Sequence, residues 1–338
     1  MFLRAIGTAV PAARYSKAEC LQAFEQSDWF ARLDARSHLI ARTVLQRDNG
    51  IEARRLALDS LEEVFRIDPD TLAQRFLAHA PTLAAQAAEH ALARADMAPG
   101  DIDGVVVSTC TGYLCPGLTS HVAERAGLPD STWLLDVTGS GCGAAIPALR
   151  AATQYLQAHP THRAAVVAVE ICSAAFYISN DPGVLISLCL FGDGAAAVIL
   201  DGENVRRGNL RFSEFASLHI PTHREKIRFV NRDGKLCNQL HRSVPEIAAG
   251  AVEHLLQGSA PHSLISHGGG REVLNAIQQR LPQHPLAEAH AVLRDCGNLS
   301  SPSVLLALER SLNSAPDAPR LLVSFGAGFS AHRCVLAE

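Results

Sequence analysis

The sequence has little of what marks membrane proteins, secreted proteins or nucleic-acid binders. No run approaches the roughly 18 consecutive apolar residues that a transmembrane helix needs. Residues 1–9 lack the long apolar stretch of a signal peptide, so we interpret them as a first strand. The 30 basic and 34 acidic residues form no long runs, which argues against electrostatic binding of nucleic acid. We therefore expect a cytoplasmic protein that contacts neither membranes nor nucleic acids.

Paired cysteines are also missing. The chain has 9 cysteines, and no two of them form a Cys-x-x-Cys pair. Such scatter favours reduced thiols over a disulfide framework or a structural zinc site. Cys237 and His241 have the i, i+4 spacing of a helical metal site, but no second ligand pair lies nearby in the sequence. We expect no metal.

Predicted strands and helices alternate along the chain. Its 338 residues, of which 48% are apolar, suffice for one large domain or two fused halves. The predicted strands are 103–109, 132–136, 164–170, 194–200, 262–266 and 320–325. The predicted helices are 118–126, 142–156, 244–256, 271–281 and 303–312. This α/β alternation implies a largely buried sheet between helical layers.

Cys142 is the strongest candidate for a nucleophile. It lies in Gly-Ser-Gly-Cys-Gly-Ala-Ala, where a predicted strand turns through glycines into a helix. Unpaired N–H groups and the dipole at a helix start favour negative charge, so we expect a lowered thiol pKa. The alternative is a small buried cysteine, because a lone cysteine becomes a nucleophile only beside a base.

Landmarks of the first half recur in the second half at the same spacing. Counting back 31 residues from Cys142 gives Thr111, and the same count from Asn298 gives His267. Both Thr111 and His267 directly follow a predicted strand. A duplicated unit would bring corresponding strand ends and helix starts together around a pseudo-twofold axis. That arrangement would place Cys142, His267 and Asn298 at one site.

The repeat also predicts how the chain divides. Each half is expected to close with a glycine hairpin, Phe-Gly-Asp-Gly at 191–194 and Phe-Gly-Ala-Gly at 325–328. We predict an N-terminal half over residues 1–205, with the cysteine, and a C-terminal half over 206–338, with the histidine and asparagine.

Four segments occur in an order that is typical of one family. They are the glycine-flanked Cys142, Ser-His-Gly-Gly-Gly-Arg at 266–271, Cys-Gly-Asn-Leu-Ser-Ser-Pro-Ser at 296–303 and Phe-Gly-Ala-Gly at 325–328. In these segments the chain resembles chalcone-synthase-like type III polyketide synthases. The resemblance implies a thiolase-like α/β fold, in which two similar βαβαβ-type halves form five αβαβα layers. It also implies a homodimer.

The chemistry that this resemblance implies is a decarboxylative Claisen condensation. Cys142 would hold an acyl-CoA-derived starter as a thioester, with His267 as the base or ion-pair partner of the thiol. His267 and the non-titrating amide of Asn298 would stabilise the enolate that malonyl-CoA forms on losing CO₂. No cofactor is implied beyond the CoA thioesters, which are substrates. Alternatively, His267 is a turn residue and Asn298 is a helix N-cap.

Further residues are implied to bind substrate. Phe191 would be a gatekeeper between the CoA tunnel and the cavity, or simply a core residue. Cavity positions that differ from the plant pattern are Cys172, Ser187 and Asn238, and Cys115 lies in a loop that reaches the partner subunit. Gly269 and Gly270 would let the pantetheine arm pass close to the backbone. Arg42, Arg47, Arg54 and Arg55 would bind CoA phosphates, or belong to a solvated helix.

Other functions stay open at this point. A ketoacyl synthase III-like enzyme would make one condensation, but such enzymes typically carry Gly-Asn-Thr-Ser at the asparagine and Gln-Ala-Asn after the histidine. A catalytically silent scaffold is disfavoured because all three polar residues are present. A papain-like hydrolase also uses Cys, His and Asn, but its Cys-Gly-Ser-Cys-Trp type of signature is absent.

Overall fold

The computed structural model describes residues 1–203, 210–258, 262–315 and 318–338. Its strands are β1 (Phe2–Ala9), β2 (Arg14–Ser16), β3 (Ala53–Arg55), β4 (Gly104–Ser108), β5 (Trp133–Val137), β6 (Arg163–Glu170), β7 (Gly194–Asp201), β8 (Arg211–His219), β9 (Ile227–Arg232), β10 (Lys235–Leu240), β11 (Ser263–Ser266), β12 (Arg320–Gly326) and β13 (Ser330–Ala337). Its helices are α1 (Lys17–Glu25), α2 (Asp28–Ala31), α3 (Ala35–Gln46), α4 (Pro69–Ala95), α5 (Leu118–Ala126), α6 (Ala145–Ala158), α7 (Pro182–Leu190), α8 (Val244–Leu256), α9 (Arg271–Arg280), α10 (Ala287–Cys296) and α11 (Ser303–Ser314).

One continuous sheet contains the repeat. Its strand order is β11-β12-β13-β8-β1-β7-β6-β4-β5. In the first half β1, β7 and β6 are antiparallel neighbours, and β4 lies parallel to β6. In the second half β8, β13 and β12 are antiparallel neighbours, and β11 lies parallel to β12. The halves join where Phe2 of β1 pairs with Arg211 of β8.

Three hydrophobic clusters define five layers. The first cluster packs α4 and α5 on the outer face of the first-half strands. The central cluster packs α6 and α11 between the inner faces of both groups of strands. The third packs α8 and α9 on the outer face of the second-half strands. The resulting order, helix–sheet–helix–sheet–helix, is the αβαβα arrangement that the resemblance implied.

Local sequence explains the ends of several helices. Asp68 accepts a hydrogen bond from the Thr71 N–H and is followed by a proline at the first helical position of α4. Asp181 and Pro182 form the same combination at the start of α7. Gly127 ends α5 with a φ of 68°. The glycine after α5 and the proline in the first turn of α8 agree with the predicted bounds of these two helices.

Of the two predicted glycine hairpins, one is present in the structure. Residues 325–328 do connect the antiparallel strands β12 and β13. The corresponding segment 191–194 is not a hairpin, because it leads from α7 into β7 and its neighbours in the chain do not pair with each other. The predicted boundary between residues 205 and 206 lies outside the described residues, so that division stays a prediction.

Candidate active site

Cys142 lies between the two halves. It sits in a 3₁₀ turn, Gly141–Gly143, which precedes α6. The turn packs against the β12–β13 connection so closely that a Cβ on Gly326 would lie 2.9 Å from the Cys142 nitrogen. Ser324 of β12 donates a hydrogen bond to the Gly143 carbonyl at 2.9 Å. Both halves therefore fix the position of the thiol.

The pKa of Cys142 moves in the direction opposite to the prediction. Burial raises the pKa of Cys142 to about 11, and the hydrogen bond from Ser300 opposes this only in part. The predicted lowering of the thiol pKa is therefore wrong. Burial is the largest cause of the raised pKa, and Cys142 lies in the 3₁₀ turn that precedes α6 instead of in the first turn of the helix itself.

His267 follows β11 at the corresponding edge of the second-half strands. Its side chain is 1% exposed, and its ring meets the Phe325 ring edge to face at a centroid distance of 5.1 Å. Burial lowers the pKa of His267 to about 4, while hydrogen bonding to the Ser300 backbone acts in the opposite direction. Its Nδ1 atom is buried without a hydrogen-bond partner. Burial therefore favours the neutral imidazole, in which one ring nitrogen is a donor and the other an acceptor.

Asn298 presents an amide whose orientation is set by its neighbour. Its Oδ1 accepts a hydrogen bond from the Ser300 N–H at 2.9 Å. Nδ2 is therefore left as a donor. The backbone of Asn298 bonds to both Leu190 and Gly192, which brackets Phe191. The N-cap alternative is wrong, because Pro302 is the residue at the N-cap of α11.

Ser300 joins the three predicted residues. Its Oγ donates to the Cys142 sulfur at 3.2 Å, and its N–H donates to Asn298. Its backbone is the hydrogen-bonding partner that acts on the pKa of His267. Ser300 has a φ of 59°, a left-handed conformation that is uncommon for serine. The sequence interpretation missed it, although it lies within the Gly-Asn-Leu-Ser-Ser segment.

Glu170 is a second residue that the sequence interpretation missed. It ends β6, and its fully buried carboxylate accepts hydrogen bonds from Ser301 at 2.7 Å and from Thr111 at 2.9 Å. The Cys110 N–H and thiol donate to the same group at 3.0 and 3.2 Å. Burial raises the pKa of Glu170, and these donors lower it. A carboxylate that closes an otherwise apolar strand was the available signal.

A small cavity opens at the Cys142 thiol. Its volume is about 40 Å³. Four of the predicted substrate-binding residues line it, namely Phe191, Cys172, Ser187 and Asn238. Asn238 donates a hydrogen bond to Ser187 at 2.9 Å, so these two form a polar pair in the wall. The structure therefore brings these four residues to the nucleophile.

An aromatic side chain stands opposite Asn238. Phe229 of β9 pairs with Asn238 of β10 and lines the same cavity. Phe229 also lines a larger, neighbouring cavity of about 650 Å³. It therefore forms part of the wall between the two. The position of Phe229 depends on the β9–β10 register, which the sequence does not reveal.

Cys115 lies outside the cavity at Cys142. Its thiol is exposed, in a loop where the neighbouring Tyr113 is 81% exposed. With Phe76, Cys115 lines a separate surface cavity of about 270 Å³. No partner chain is present in the structure, so its contact with a second subunit stays a prediction.

The glycines and arginines predicted to bind CoA lie at different depths. A Cβ on Gly269 would meet the His267 ring at 3.4 Å, and Gly270 begins α9 with a φ of 125°. Arg42 is at the surface and pairs with Glu25 at 2.6 Å. Arg47 is exposed at the end of α3, in agreement with the solvated-helix alternative as well as with phosphate binding. Their roles toward CoA stay predictions.

Across the described ranges, no group of three or more His, Cys, Asp or Glu side chains could hold a metal ion. No described helix combines the length and apolarity needed to cross a bilayer. All nine cysteines have free thiols.

Known proteins resemble the chain over most of its length. A sequence model of the FAE1/type III polyketide synthase-like proteins matches residues 11–269. Alpha-pyrone synthesis polyketide synthase-like Pks18 of Mycobacterium tuberculosis is 30% identical, covering 83% of this chain and 76% of Pks18. The 1,3,6,8-tetrahydroxynaphthalene synthase of Streptomyces griseus is 29% identical, covering 86% of this chain and 82% of that enzyme.

A solved structure extends the likeness to the whole fold. The polyketide synthase PKS-I of the brown alga Ectocarpus siliculosus superposes with a TM-score of 0.91, at 20% identity. The match covers 100% of this chain and 98% of that one. The predicted thiolase-like α/β fold is thereby confirmed.

Proposed function

Because the chain belongs to the FAE1/type III polyketide synthase-like family, we propose that it extends an acyl group on Cys142 with units from malonyl-CoA. The chain is an acyltransferase of the type III polyketide synthase class. The observation that carries the site assignment is the convergence of Cys142, His267 and Asn298 on Ser300. The ketoacyl synthase III-like alternative is not favoured, since the relatives named above are polyketide synthases or a polyhydroxyarene synthase.

The first step is acylation of Cys142. His267, neutral in its buried position, takes the thiol proton as the sulfur attacks the thioester carbonyl of an acyl-CoA. The bond from that carbonyl to the CoA sulfur breaks, His267 returns the proton to the CoA thiolate, and CoA leaves as the free thiol. Ser300 supports the attacking sulfur, because a hydrogen bond to Sγ favours its ionised form.

The second step forms the carbon–carbon bond. Malonyl-CoA loses CO₂, and the electron pair of the broken bond becomes an enolate. The free Nδ2 of Asn298 donates to the developing oxyanion, with a ring N–H of His267 as the second donor that the family resemblance implies. The enolate carbon then attacks the thioester on Cys142, whose carbon–sulfur bond breaks, so that the thiolate is regenerated. The reaction as written uses no metal or organic cofactor besides the CoA thioesters.

The assembly and substrate contacts are proposed on the family resemblance. Phe191, Cys172, Ser187 and Asn238 would contact the growing chain, since all four line the cavity at Cys142. The glycines 269 and 270 would border the pantetheine arm, and Arg42 and Arg47 would meet the CoA phosphates. A cytoplasmic homodimer would place the exposed Cys115 loop against the partner subunit, which fits the exposure of Tyr113.

Product analysis tests the proposal directly. The enzyme is incubated with malonyl-CoA and a panel of acyl-CoAs, and the products and the acylated peptide are identified by mass spectrometry. We expect acyl label on Cys142 and products with more than one two-carbon extension. Cys142→Ala should lose both, whereas Cys334→Ala, which removes a buried thiol of the central hydrophobic cluster, should keep both. One extension per turnover would instead support the ketoacyl synthase III-like activity, and full product formation by Cys142→Ala would contradict the nucleophile.

A further inference from the structure

A buried arginine lies behind the site and takes no part in the steps above. Arg54 of β3 is 4% exposed. A guanidinium in such a position is costly unless its donors are satisfied, since it cannot be deprotonated. No carboxylate is within ion-pair distance of Arg54 among the described side chains. Its Nη1 and Nη2 atoms donate to two carbonyls and one thiol, and its Nε is buried without a partner. Its position therefore calls for an explanation other than a salt bridge.

The two carbonyls belong to the carboxyl end of α7. Arg54 Nη1 donates to the carbonyl of Leu188, and to that of Phe191 at 3.2 Å. These are carbonyls that a helix end leaves unpaired, and the negative end of the helix dipole favours a cation there. Nη2 contacts the Cys20 sulfur at 3.4 Å, which connects α1 to the same group. Arg54 thus fixes the residue where α7 ends.

The end of α7 is bonded in turn to the segment that carries Asn298. The Asn298 N–H donates to the Leu190 carbonyl at 2.9 Å, and the Gly192 N–H donates to the Asn298 carbonyl at 3.0 Å. Gly297 has a φ of 79°, and a Cβ there would lie 3.2 Å from Cγ of Arg54. The Arg54 side chain therefore contacts both segments that meet at this bridge.

We propose that Arg54 is a positioning residue, which holds Phe191 and Asn298 in register with Cys142 by binding the carboxyl end of α7. The inference rests on the proposed function, in which Asn298 stabilises the enolate and Phe191 bounds the cavity. Arg54 acts on Asn298 through α7. It makes no contact of this kind with Cys142, whose turn is fixed by Ser324 and Gly326 on the other side.

This arrangement predicts that a change at Arg54 slows the decarboxylation of malonyl-CoA much more than the alkylation of Cys142. Arg54→Met keeps the length of the side chain and removes its donors. The rate of malonyl-CoA decarboxylation should fall about tenfold or more. The reason is that the charge-assisted hydrogen bonds that hold the end of α7, and through it Asn298, are lost. Alkylation of Cys142 by iodoacetamide should change less than about twofold, and kcat should fall more than KM rises. Arg54→Lys keeps the cation with fewer donors, so a drop of about threefold in decarboxylation is expected.

Arg320→Met is the matched control. Arg320 is equally buried, and its guanidinium binds the carbonyls of Ala315 and Ala318 near the end of α11, away from Cys142. After correction for the folded fraction, its ratio of decarboxylation to alkylation should equal that of the unchanged enzyme. An unchanged ratio in Arg54→Met would overturn the proposal, as would an equal shift in Arg320→Met.

Folding failure and failure of the proposed function give different results. If Arg54→Met does not fold, Arg54→Lys decides, and an unchanged ratio in that variant overturns the proposal. If the unchanged enzyme neither decarboxylates malonyl-CoA nor acylates Cys142, the proposed function itself is wrong. A wild-type enzyme that does both, with Arg54 variants that lose both in parallel, rejects the positioning role alone.

Discussion

Corresponding strand ends of the two halves differ in how their polar groups are satisfied. Thr111 follows β4, and its hydroxyl both donates to Glu170 and accepts from the Ile171 N–H. His267 follows the equivalent strand β11, but its Nδ1 is buried without a partner. Thr111 therefore belongs to a closed hydrogen-bond network around Glu170, whereas Nδ1 of His267 has no hydrogen-bond partner. Closed networks stabilise a structure, whereas an unsatisfied buried group costs stability.

The largest expected effect comes from removing the unsatisfied group. His267→Gln keeps a polar side chain but removes the base and the ring donor. Malonyl-CoA decarboxylation should fall about 10²- to 10³-fold, the range seen when one oxyanion donor is removed. Release of labelled CO₂ from malonyl-CoA measures this rate.

Thr111→Val is the matched variant of the closed network. It should lower the free energy of unfolding by about 1–3 kcal/mol, because Glu170 loses a donor and the Ile171 N–H loses its acceptor. Its decarboxylation rate should change far less than that of His267→Gln. Equal losses of rate in both variants would remove the distinction between the halves.

The next effect is on how the free energy of unfolding changes with pH. The folded-state pKa of His267 is about 4, below its ordinary value of 6.5. Between these values the unfolded chain binds a proton that the folded protein does not, so His267 lowers stability as pH falls from 6.5 towards 4. The slope contributed is up to about 1.4 kcal/mol per pH unit.

Chemical denaturation at several pH values isolates this contribution. The difference in free energy of unfolding between the wild type and His267→Gln should shift against the wild type as the pH falls, and should be constant above about pH 7. Other buried groups titrate in both proteins and cancel in the difference. A difference that stays constant down to pH 4 would show that His267 is not held neutral by burial.

Much of the fold could be predicted, and the reason is visible in particular elements. α5 and α8 have the predicted bounds, since glycine and proline mark their ends, and β4 is buried along its whole length. The 31-residue spacing that recurs in the two halves led to the prediction that Cys142, His267 and Asn298 lie at one site. The sequence does not reveal that Cys142 precedes α6 in a 3₁₀ turn, because helix and 3₁₀ starts share the same residues. The sequence also does not reveal that Phe229 lines the cavity, because its position depends on the register of β9 against β10.

A medium effect is expected at the centre of the closed network. Glu170→Gln replaces one acceptor oxygen by a donor, which would face either the Ser301 hydroxyl at Oε1 or the Thr111 hydroxyl at Oε2. The free energy of unfolding should fall by about 1–3 kcal/mol, measured by chemical denaturation. Glu52→Gln, an exposed residue, should stay within about 0.5 kcal/mol of the wild type. A Glu170→Gln variant as stable as Glu52→Gln would mean that the network contributes nothing.

The smallest effect should arise at Ser300, where the closed network meets the site. Its Oγ lies 3.2 Å from the Cys142 sulfur and 3.3 Å from Glu170. Ser300→Ala removes a donor to the sulfur, so the pKa of Cys142 should rise further and alkylation by iodoacetamide at pH 8 should slow about three- to tenfold.

Ser301→Ala separates the two contacts of this segment. Ser301 donates to Glu170 at 2.7 Å and not to the sulfur, so its loss should lower stability and leave the alkylation rate unchanged. If Ser301→Ala slowed alkylation as much as Ser300→Ala, the whole hydrogen-bond network around Glu170, and not the Ser300 hydroxyl alone, would set the reactivity of the Cys142 thiol. If only Ser300→Ala slows it, the effect on the thiol comes from the single hydroxyl of Ser300, which lies within hydrogen-bond distance of both Cys142 and Glu170.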